Sequence, residues 1–354
     1  MSVTAMKVQV RARNKALEYA VDADERLLYG GLRNAIDLPY ECATGTCGTC
    51  RARLIEGEIE DLWPESPGKK NLKPENNEFL LCQCAAKSDL SIEIGAFVER
   101  GRPGAAIPIH FRGRVANCRE LTRDVLSFEV ELDEPHAFEP GQFVAIRFPG
   151  VQGYRGYSMV NYDPRPSRLE FVIKRFPGGG VSGFLFDQRQ GEGSEVELFG
   201  PLGSATFHPS LGKNILCIAG GSGIAGMVSI LIRACQDDYF TTHDGHLFFG
   251  VRTAADVFFA DRLAALQAQY PDRLRVVIGL SDDPDGGAAL SRQYPGLAFD
   301  TGFIHEIAGR HMQGHYQDLV AYLAGPPVSV DASIRLLLLQ ARLPASAIRY
   351  DKFS

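Results

Sequence analysis

Apolar and polar positions alternate from the start of the chain: Met6, Val8 and Val10 are separated by Lys7, Gln9 and Arg11, a period of two that predicts a half-buried strand over Met6 to Arg13. A turn and an amphipathic stretch from Leu27 to Ala35 follow, then a glycine-rich loop and a further strand from Arg51 to Ile55. Between Phe111 and about Phe207 the period-two runs become short and regular, VLSFEVEL, QFVAIRF, RLEFVIKRF and EVELFG, with Gly, Pro and Asp turns between them. That spacing predicts an antiparallel barrel. Beyond PSLGK the texture changes, because NILCIAGG, GHLFFGV, RLRVVIGL and AYLAGPP are nearly continuous apolar runs, as strands buried on both faces require. Helical stretches separate them, the first from Met227 to Cys235, so this part reads as α/β with a mostly parallel sheet. The connector GRPGAAIP, residues 101 to 108, has little to bury. A multidomain α+β and α/β chain is expected, divided into residues 1–98, a linker at 99–109, a barrel at 110–209 and an α/β unit at 210–354.

Composition changes this picture mainly by exclusion. A net charge of -6 over 354 residues lacks the basic face that nucleic acid or an anionic membrane surface demands, so neither is expected as a partner. No run approaches the roughly 20 apolar residues of a membrane span. The opening MSVTAMKVQVRARNKALEYAV mixes charges into its apolar residues, unlike a signal peptide, and a soluble, cytoplasmic chain is expected. Five of the eight cysteines fall between Cys42 and Cys84, while Cys118, Cys217 and Cys235 are scattered in or near apolar runs and read as core. This is the usage of local metal chemistry in a reducing compartment rather than of a disulfide framework.

The segment ECATGTCGTC spaces Cys42, Cys47 and Cys50 as C-x4-C-x2-C, and FLLCQC supplies Cys82 and Cys84 about thirty residues later. That is the plant-type [2Fe–2S] spacing. Gly45 and Gly48 allow backbone N–H groups to turn inward toward the sulfurs, in conformations that side chains would obstruct. Zinc or a group of free thiols is the alternative, although zinc favours paired C-x2-C knuckles and only one such pair is present.

Two further segments carry candidate chemistry. In Arg155-Gly156-Tyr157-Ser158 an arginine suits a pyrophosphate, a tyrosine suits a ribose or flavin face, and a serine hydroxyl suits a ring-edge nitrogen. The Gly178-Gly179-Gly180-Val181-Ser182 turn ahead of a helical stretch presents N–H groups to phosphate. In NILCIAGGSGIAGM a buried strand runs through Gly220, Gly221 and Gly223 into a helix, which aims free N–H groups at an anion, without P-loop or Rossmann spacing. Taken alone, each segment suits a surface turn or an ordinary α/β connection better than a ligand site. His305, His311 and His315, with His243 and His246 beside Asp244, lack a completing carboxylate or cysteine set and are expected on an exposed helical stretch and a loop respectively.

Read in order, these segments resemble a known family. Residues 1 to 98 are similar to the ferredoxin domain of bacterial oxygenase reductases, in which the last cluster ligand stands in a Leu-x-Cys-Gln context. Leu80, Cys82 and Gln83 match it, so the resemblance implies Cys82 as fourth ligand, with Cys84 a spare thiol, on a β-grasp fold. PGQF, RGYS, IKRFPGGGVS and FGPLG resemble the flavin domain of the ferredoxin-NADP reductase superfamily, implying FAD, with FMN the alternative since the residues demand only a flavin phosphate, held by Arg155, Tyr157, Ser158, Lys174, Gly179, Val181 and Ser182. The last unit resembles its NAD lobe, implying a coenzyme site at Gly220, Gly221, Gly223, Arg252, Gly325 and Pro326. Two departures stand out: Ala324 where the family has a cysteine, and Gly226 where it has a proline, both expected to slow hydride transfer. No basic cluster surrounds Arg252, which favours NADH over NADPH.

The expected activity is NADH-dependent electron transfer through FAD and a [2Fe–2S] cluster, with no residue assigned as catalytic. The resemblance implies an oxygenase as external acceptor. LWPESPG with FLLCQCAAKSDL looks most like reductases of diiron toluene or phenol monooxygenases; a Rieske dioxygenase reductase, a deoxysugar dehydrase reductase and a redox sensor are the alternatives. The acidic group Glu56, Glu58, Glu60 and Asp61 is a candidate docking face. Tyr350 and Phe353, in the terminal IRYDKFS, suit either the flavin's vicinity or the packing of a terminal strand.

Overall fold

A computed structural model describes residues 5–101, 106–186 and 191–352. Its strands form three large sheets in chain order and one small two-stranded sheet. In the first, β1 (Met6–Arg11) and β2 (Ala16–Val21) make an antiparallel hairpin, α1 (Leu27–Arg33) crosses over, and β3 (Arg51–Glu56), β4 (Ile59–Asp61), β5 (Glu78–Leu80), β6 (Cys84–Ala86) and β7 (Leu90–Glu93) follow. The order is β2-β1-β7-β3-β5, with β1 parallel to β7, and β4 pairs separately with β6. Leu27 through Leu32 are all buried, so α1 is enclosed rather than amphipathic as its sequence suggested. The enclosing face belongs to the second sheet.

The second sheet contains β8 (Ile109–Thr122), β9 (Val125–Leu132), β10 (Phe143–Arg147), β11 (Arg155–Ser158), β12 (Arg168–Lys174) and β13 (Glu195–Leu202), with α2 (Gly180–Phe186) covering one end. All its pairings are antiparallel, in the order β11-β10-β13-β8-β9-β12. The ladder ends at β11 and β12, so the barrel is not closed along its whole length. Alternation explains the filling: Val130, Phe128 and Leu126 point inward from β9 and meet Phe171, Leu169, Phe148 and Val181.

The third sheet is wholly parallel: β14 (Asn214–Gly220), α3 (Ile224–Gln236), β15 (Gly245–Val251), α4 (Ala260–Gln269), β16 (Leu274–Leu280), α5 (Gly286–Gln293), β17 (Ala298–Thr301), α6 (Ile304–His311), β18 (Leu319–Gly325), α7 (Pro327–Arg335) and β19 (Ile348–Lys352). Its order, β17-β16-β15-β14-β18-β19, reverses at β14. The crossovers leave β14 toward β15 on one side and return to β18 on the other, and such a reversal leaves a crevice beyond the carboxyl ends of the two strands. Helices cover both faces, which is why NILCIAG is apolar without alternation. His246 lies on β15 and is half-buried, not in the loop its polar neighbours suggested. Cys217 and Cys235 are buried as expected, whereas Cys118 is half-buried. Among the described residues no helix is long and apolar enough to cross a membrane.

Candidate functional site

The loop between α1 and β3 wraps inward around sulfur. The Cys42 Sγ accepts N–H groups from Thr44 at 3.5 Å and from Thr46 and Cys47 at 3.4 Å, while the Cys47 Sγ accepts the Thr49 N–H at 3.4 Å. Gly45 and Gly48 stand at φ +93° and +86°, where only glycine sits without strain. A Cβ on Gly45 would also lie 2.7 Å from the buried Gln83 amide, and one on Gly48 2.9 Å from the Asn71 amide. Gln83 in turn points its Nε2 at the Cys82 Sγ, 3.4 Å away.

The four sulfurs come as two pairs. Cys50 and Cys82 are 3.2 Å apart, and Cys42 is hydrogen-bonded to Cys47. Among the described residues no three His, Cys, Asp or Glu side chains surround one point as a single ion requires. Two pairs fit two irons, each holding two thiolates. Protonation follows the same pairing: the Cys47 thiol and the surrounding N–H groups hold Cys42 down at about 4 against its burial, whereas hydrogen bonding to Cys82 and burial drive Cys50 well above the usual thiol range. Thiols this dense ionise together only around a cationic group, so the donor set fits an iron–sulfur cluster.

The RGYS segment is β11, at the open edge of the barrel. The Arg155 guanidinium stacks over the Trp63 ring of the first unit, 4.5 Å from its centroid, and donates to the carbonyls of Tyr154 and Gln152 at 2.9 and 3.2 Å. Tyr157 packs edge-on to Phe128 at 5.7 Å, and burial raises its phenol well above the ordinary range. Ser158, at the end of the same strand, is buried. At the start of α2, the Ser182 hydroxyl is used locally, donating to the Phe176 carbonyl at 3.0 Å, and Val181 packs into the barrel core. The Gly179 N–H is likewise engaged, donating to the Phe176 carbonyl at 2.9 Å, which leaves the first-turn N–H groups of Val181 and Ser182 to face a phosphate.

Both neighbouring units reach β11. A Cβ on Gly156 would lie 3.7 Å from the Cys42 carbonyl oxygen, and a Cβ on Gly226, in the first turn of α3, would lie 3.7 Å from the Ser158 Cβ. The Ser229 hydroxyl locks that approach by accepting the Gly141 N–H at 2.9 Å. In the crevice of the parallel sheet, Gly220 to Gly223 meet Gly325 and Pro326: a Cβ on Gly220 would touch the Pro326 ring at 3.2 Å, and Gly325, at φ +138°, backs onto Gly220. Lys174 and Arg252, from the flavin and nicotinamide sets, share one carboxylate, Asp124, at 3.4 and 3.7 Å. Arg252 also faces Asp256 at 3.9 Å, so its charge is already compensated.

Sequence reading did not find Trp63, Arg26, Tyr29 or Tyr40, which join the first unit to the barrel. Tyr29 stacks on Phe199 at 4.0 Å and the Tyr40 hydroxyl accepts the Gly203 N–H at 3.1 Å. Asp351, next to Tyr350, is half-buried, and desolvation followed by the nearby Glu41 raises its carboxyl to about 7. Nothing local marks these residues. Tyr350 lies on β19, part exposed, and Phe353 lies outside the described residues.

Paired thiols, a flavin-type barrel edge and a switch-point crevice in contact define a modular iron–sulfur flavoprotein oxidoreductase. Comparison with known proteins agrees: residues 10–87 match the 2Fe-2S iron–sulfur cluster binding domain, 112–207 the oxidoreductase FAD-binding domain and 217–332 the oxidoreductase NAD-binding domain. A ferredoxin–NAD(P)+ reductase of Metapseudomonas resinovorans is 37% identical, across 92% of this chain and 94% of its own. The ferredoxin–NAD+ reductase component of an alkene monooxygenase system of Xanthobacter autotrophicus is 35% identical, across 96% of this chain and 99% of its own. Among solved structures, a ferredoxin reductase in carbazole 1,9a-dioxygenase superposes with a TM-score of 0.82 at 33% identity, covering 99% of each chain. The chain belongs to the ferredoxin–NAD(P)+ reductase components of oxygenase systems, and is an oxidoreductase with [2Fe–2S], FAD and NAD domains.

Proposed function

We propose that this reductase draws its electrons from NADH and delivers them, one at a time, from the [2Fe–2S] cluster to the terminal oxygenase of a hydrocarbon-oxidising monooxygenase in the cytoplasm. The observation that carries the reading is the double contact on β11: the Cys42 loop against Gly156 on one side and the α3 turn at Gly226 against Ser158 on the other. When bound, the flavin supplies the conversion between the two-electron chemistry of nicotinamide and the one-electron chemistry of the cluster.

The chain's own residues do the positioning. Cys42, Cys47, Cys50 and Cys82 would hold the iron, with the loop N–H groups stabilising charge on sulfur. Arg155, fixed by Trp63 and two carbonyls, would hold the flavin's pyrophosphate; Tyr157 and Ser158 would fix the ring, and the N–H groups of Val181 and Ser182 a phosphate, with Gly179 shaping the turn before them. Gly220, Gly221, Gly223, Gly325 and Pro326 would form the coenzyme crevice, small enough there for backbone approach. With Arg252 compensated by Asp124 and Asp256, no free cation at that position favours a 2′-phosphate, hence NADH. The domain limits at 98, 110 and 210 belong to the same proposal.

A dioxygenase acceptor is the second reading, favoured by the likeness to the solved ferredoxin reductase in carbazole 1,9a-dioxygenase. Anaerobic titration of the purified protein with NADH and then NADPH, followed in the visible spectrum, tests the internal chain. Flavin and cluster bands that bleach together with NADH support it; a flavin that bleaches while the cluster stays oxidised refutes it. Turnover with purified monooxygenase and dioxygenase components then separates the two acceptors.

A further inference from the structure

Arg26 is a buried cation that pairs with no carboxylate among the described residues. The residue is 9% exposed, at the seam between the first unit and the barrel. Its guanidinium carbon lies 4.5 Å from the Tyr154 ring centroid and 5.8 Å from that of Tyr29, while its Nε has no hydrogen-bond partner. The neighbouring Glu25 is engaged elsewhere, with Arg33 at 2.8 Å and His110 at 3.4 Å. Aromatic faces offset only part of the cost of desolvating a guanidinium, and an apolar side chain would fill the same space more cheaply. The charge therefore needs a partner of opposite sign.

The backbone shows where that partner belongs. Arg26 pairs with Ala85 as an isolated bridge, and the Leu28 N–H donates to the Leu81 carbonyl at 2.9 Å, immediately before Cys82. Tyr29, against the guanidinium, donates its hydroxyl to the carbonyl of Ala43 at 3.1 Å, immediately after Cys42. Arg26 thus sits on a segment whose next three residues contact the neighbours of one ligand candidate from each thiol pair, Leu81 beside Cys82 and Ala43 beside Cys42. Two ferric ions, two sulfides and four thiolates sum to a dianion, and reduction adds one more negative charge.

We propose that Arg26 is the buried counter-cation of the iron–sulfur cluster, a positioning residue whose charge favours the reduced state and so sets the potential at which the cluster accepts an electron. The proposal rests on reading Cys42, Cys47, Cys50 and Cys82 as the ligands. Tyr154, on which the guanidinium lies, directly precedes Arg155, so this charge also stands next to the start of the flavin strand.

The test uses full-length wild type, Arg26→Met and Arg26→Lys, with iron content, visible spectrum and a redox titration followed by electron paramagnetic resonance. In Arg26→Met the ratio of reduced to oxidised cluster at a fixed potential falls about tenfold, equivalent to ~59 mV for one electron, while Arg26→Lys stays near wild type. A second readout needs no cluster: after iron is stripped with a chelator, the Met variant melts no earlier than the stripped wild type, because it has lost an unpaired charge. An unshifted potential in an iron-replete Met variant overturns the proposal, as does equal destabilisation with and without iron, which would make Arg26 a packing residue. If the Met variant fails to retain iron, retention by the Lys variant upholds the charge role and loss in both overturns it. A wild type without [2Fe–2S] bands would instead sink the ligand assignment.

Discussion

Gly223 offers the sharpest test of the coenzyme crevice. A Cβ at this position would stand 2.6 Å from the carbonyl carbon and oxygen of Ala324 and 2.7 Å from the Gly325 nitrogen. All three are backbone atoms, and β18 is held against β14 by a parallel ladder that runs to Ala219 and Ala324. No rotamer change relieves the clash, so Gly223→Ala forces the two turns apart, at an overpacking cost of about 1–3 kcal/mol. If about 1.4 kcal/mol of that falls on the bound state, NAD+ affinity drops roughly tenfold. The control is Gly212→Ala, at φ +56° in the turn ahead of β14 with only an ordinary contact to His243: it incurs a left-handed penalty of about 1–2 kcal/mol but does not part the turns. Calorimetric titration with NAD+ and stopped-flow bleaching of the flavin band against NADH concentration measure both variants. Wild-type affinity in Gly223→Ala, or equal losses in the two variants, would refute the reasoning.

Three further outcomes are expected. Ala324→Cys restores the side chain usual in the family beside the crevice and should speed NADH-driven flavin reduction in stopped flow; an unchanged rate counts against the assignment. Burial pushes the Glu25 carboxyl up, but hydrogen bonds from His110 and Arg33 outweigh it and hold the group at about 2. Because the folded value lies below the ordinary 4.5, the stabilisation is complete above that pH and is lost as pH falls toward 2; acid melts of Glu25→Gln should lose this slope. Of the acidic group, Glu60 pairs with Lys87 and Asp61 with Lys69, which leaves Glu56 and Glu58 as the uncompensated carboxylates. Reversing both charges should lower acceptor turnover at low salt but not at high salt, and identical rates at low salt would remove that face from docking.

The legible features were those confined to a few consecutive residues. Cys42, Cys47 and Cys50 sit in one loop whose glycines already show the turn, and the GGSG turn follows an apolar run long enough to mark a buried strand. Helix α1 was misread as amphipathic because its second face is covered by another unit, through Tyr29 on Phe199, which no period along the chain encodes. The acidic group looked like four free charges until folding brought Lys87 and Lys69 alongside.

By itself the sequence determined which chemistries each unit is built to carry, because cysteine spacing, glycine turns and hydrophobic period act through neighbouring backbone and need no distant partner. Tertiary structure alone decided how the units meet: Trp63 under Arg155, the Cys42 carbonyl against Gly156, Gly226 against Ser158, and Arg26 between Tyr29 and Tyr154. These contacts join residues far apart in the chain, and each depends on the packing of whole sheets and helices. Electron transfer is decided by distance, so the order of the units was written in the chain, while their adjacency was settled only by the fold.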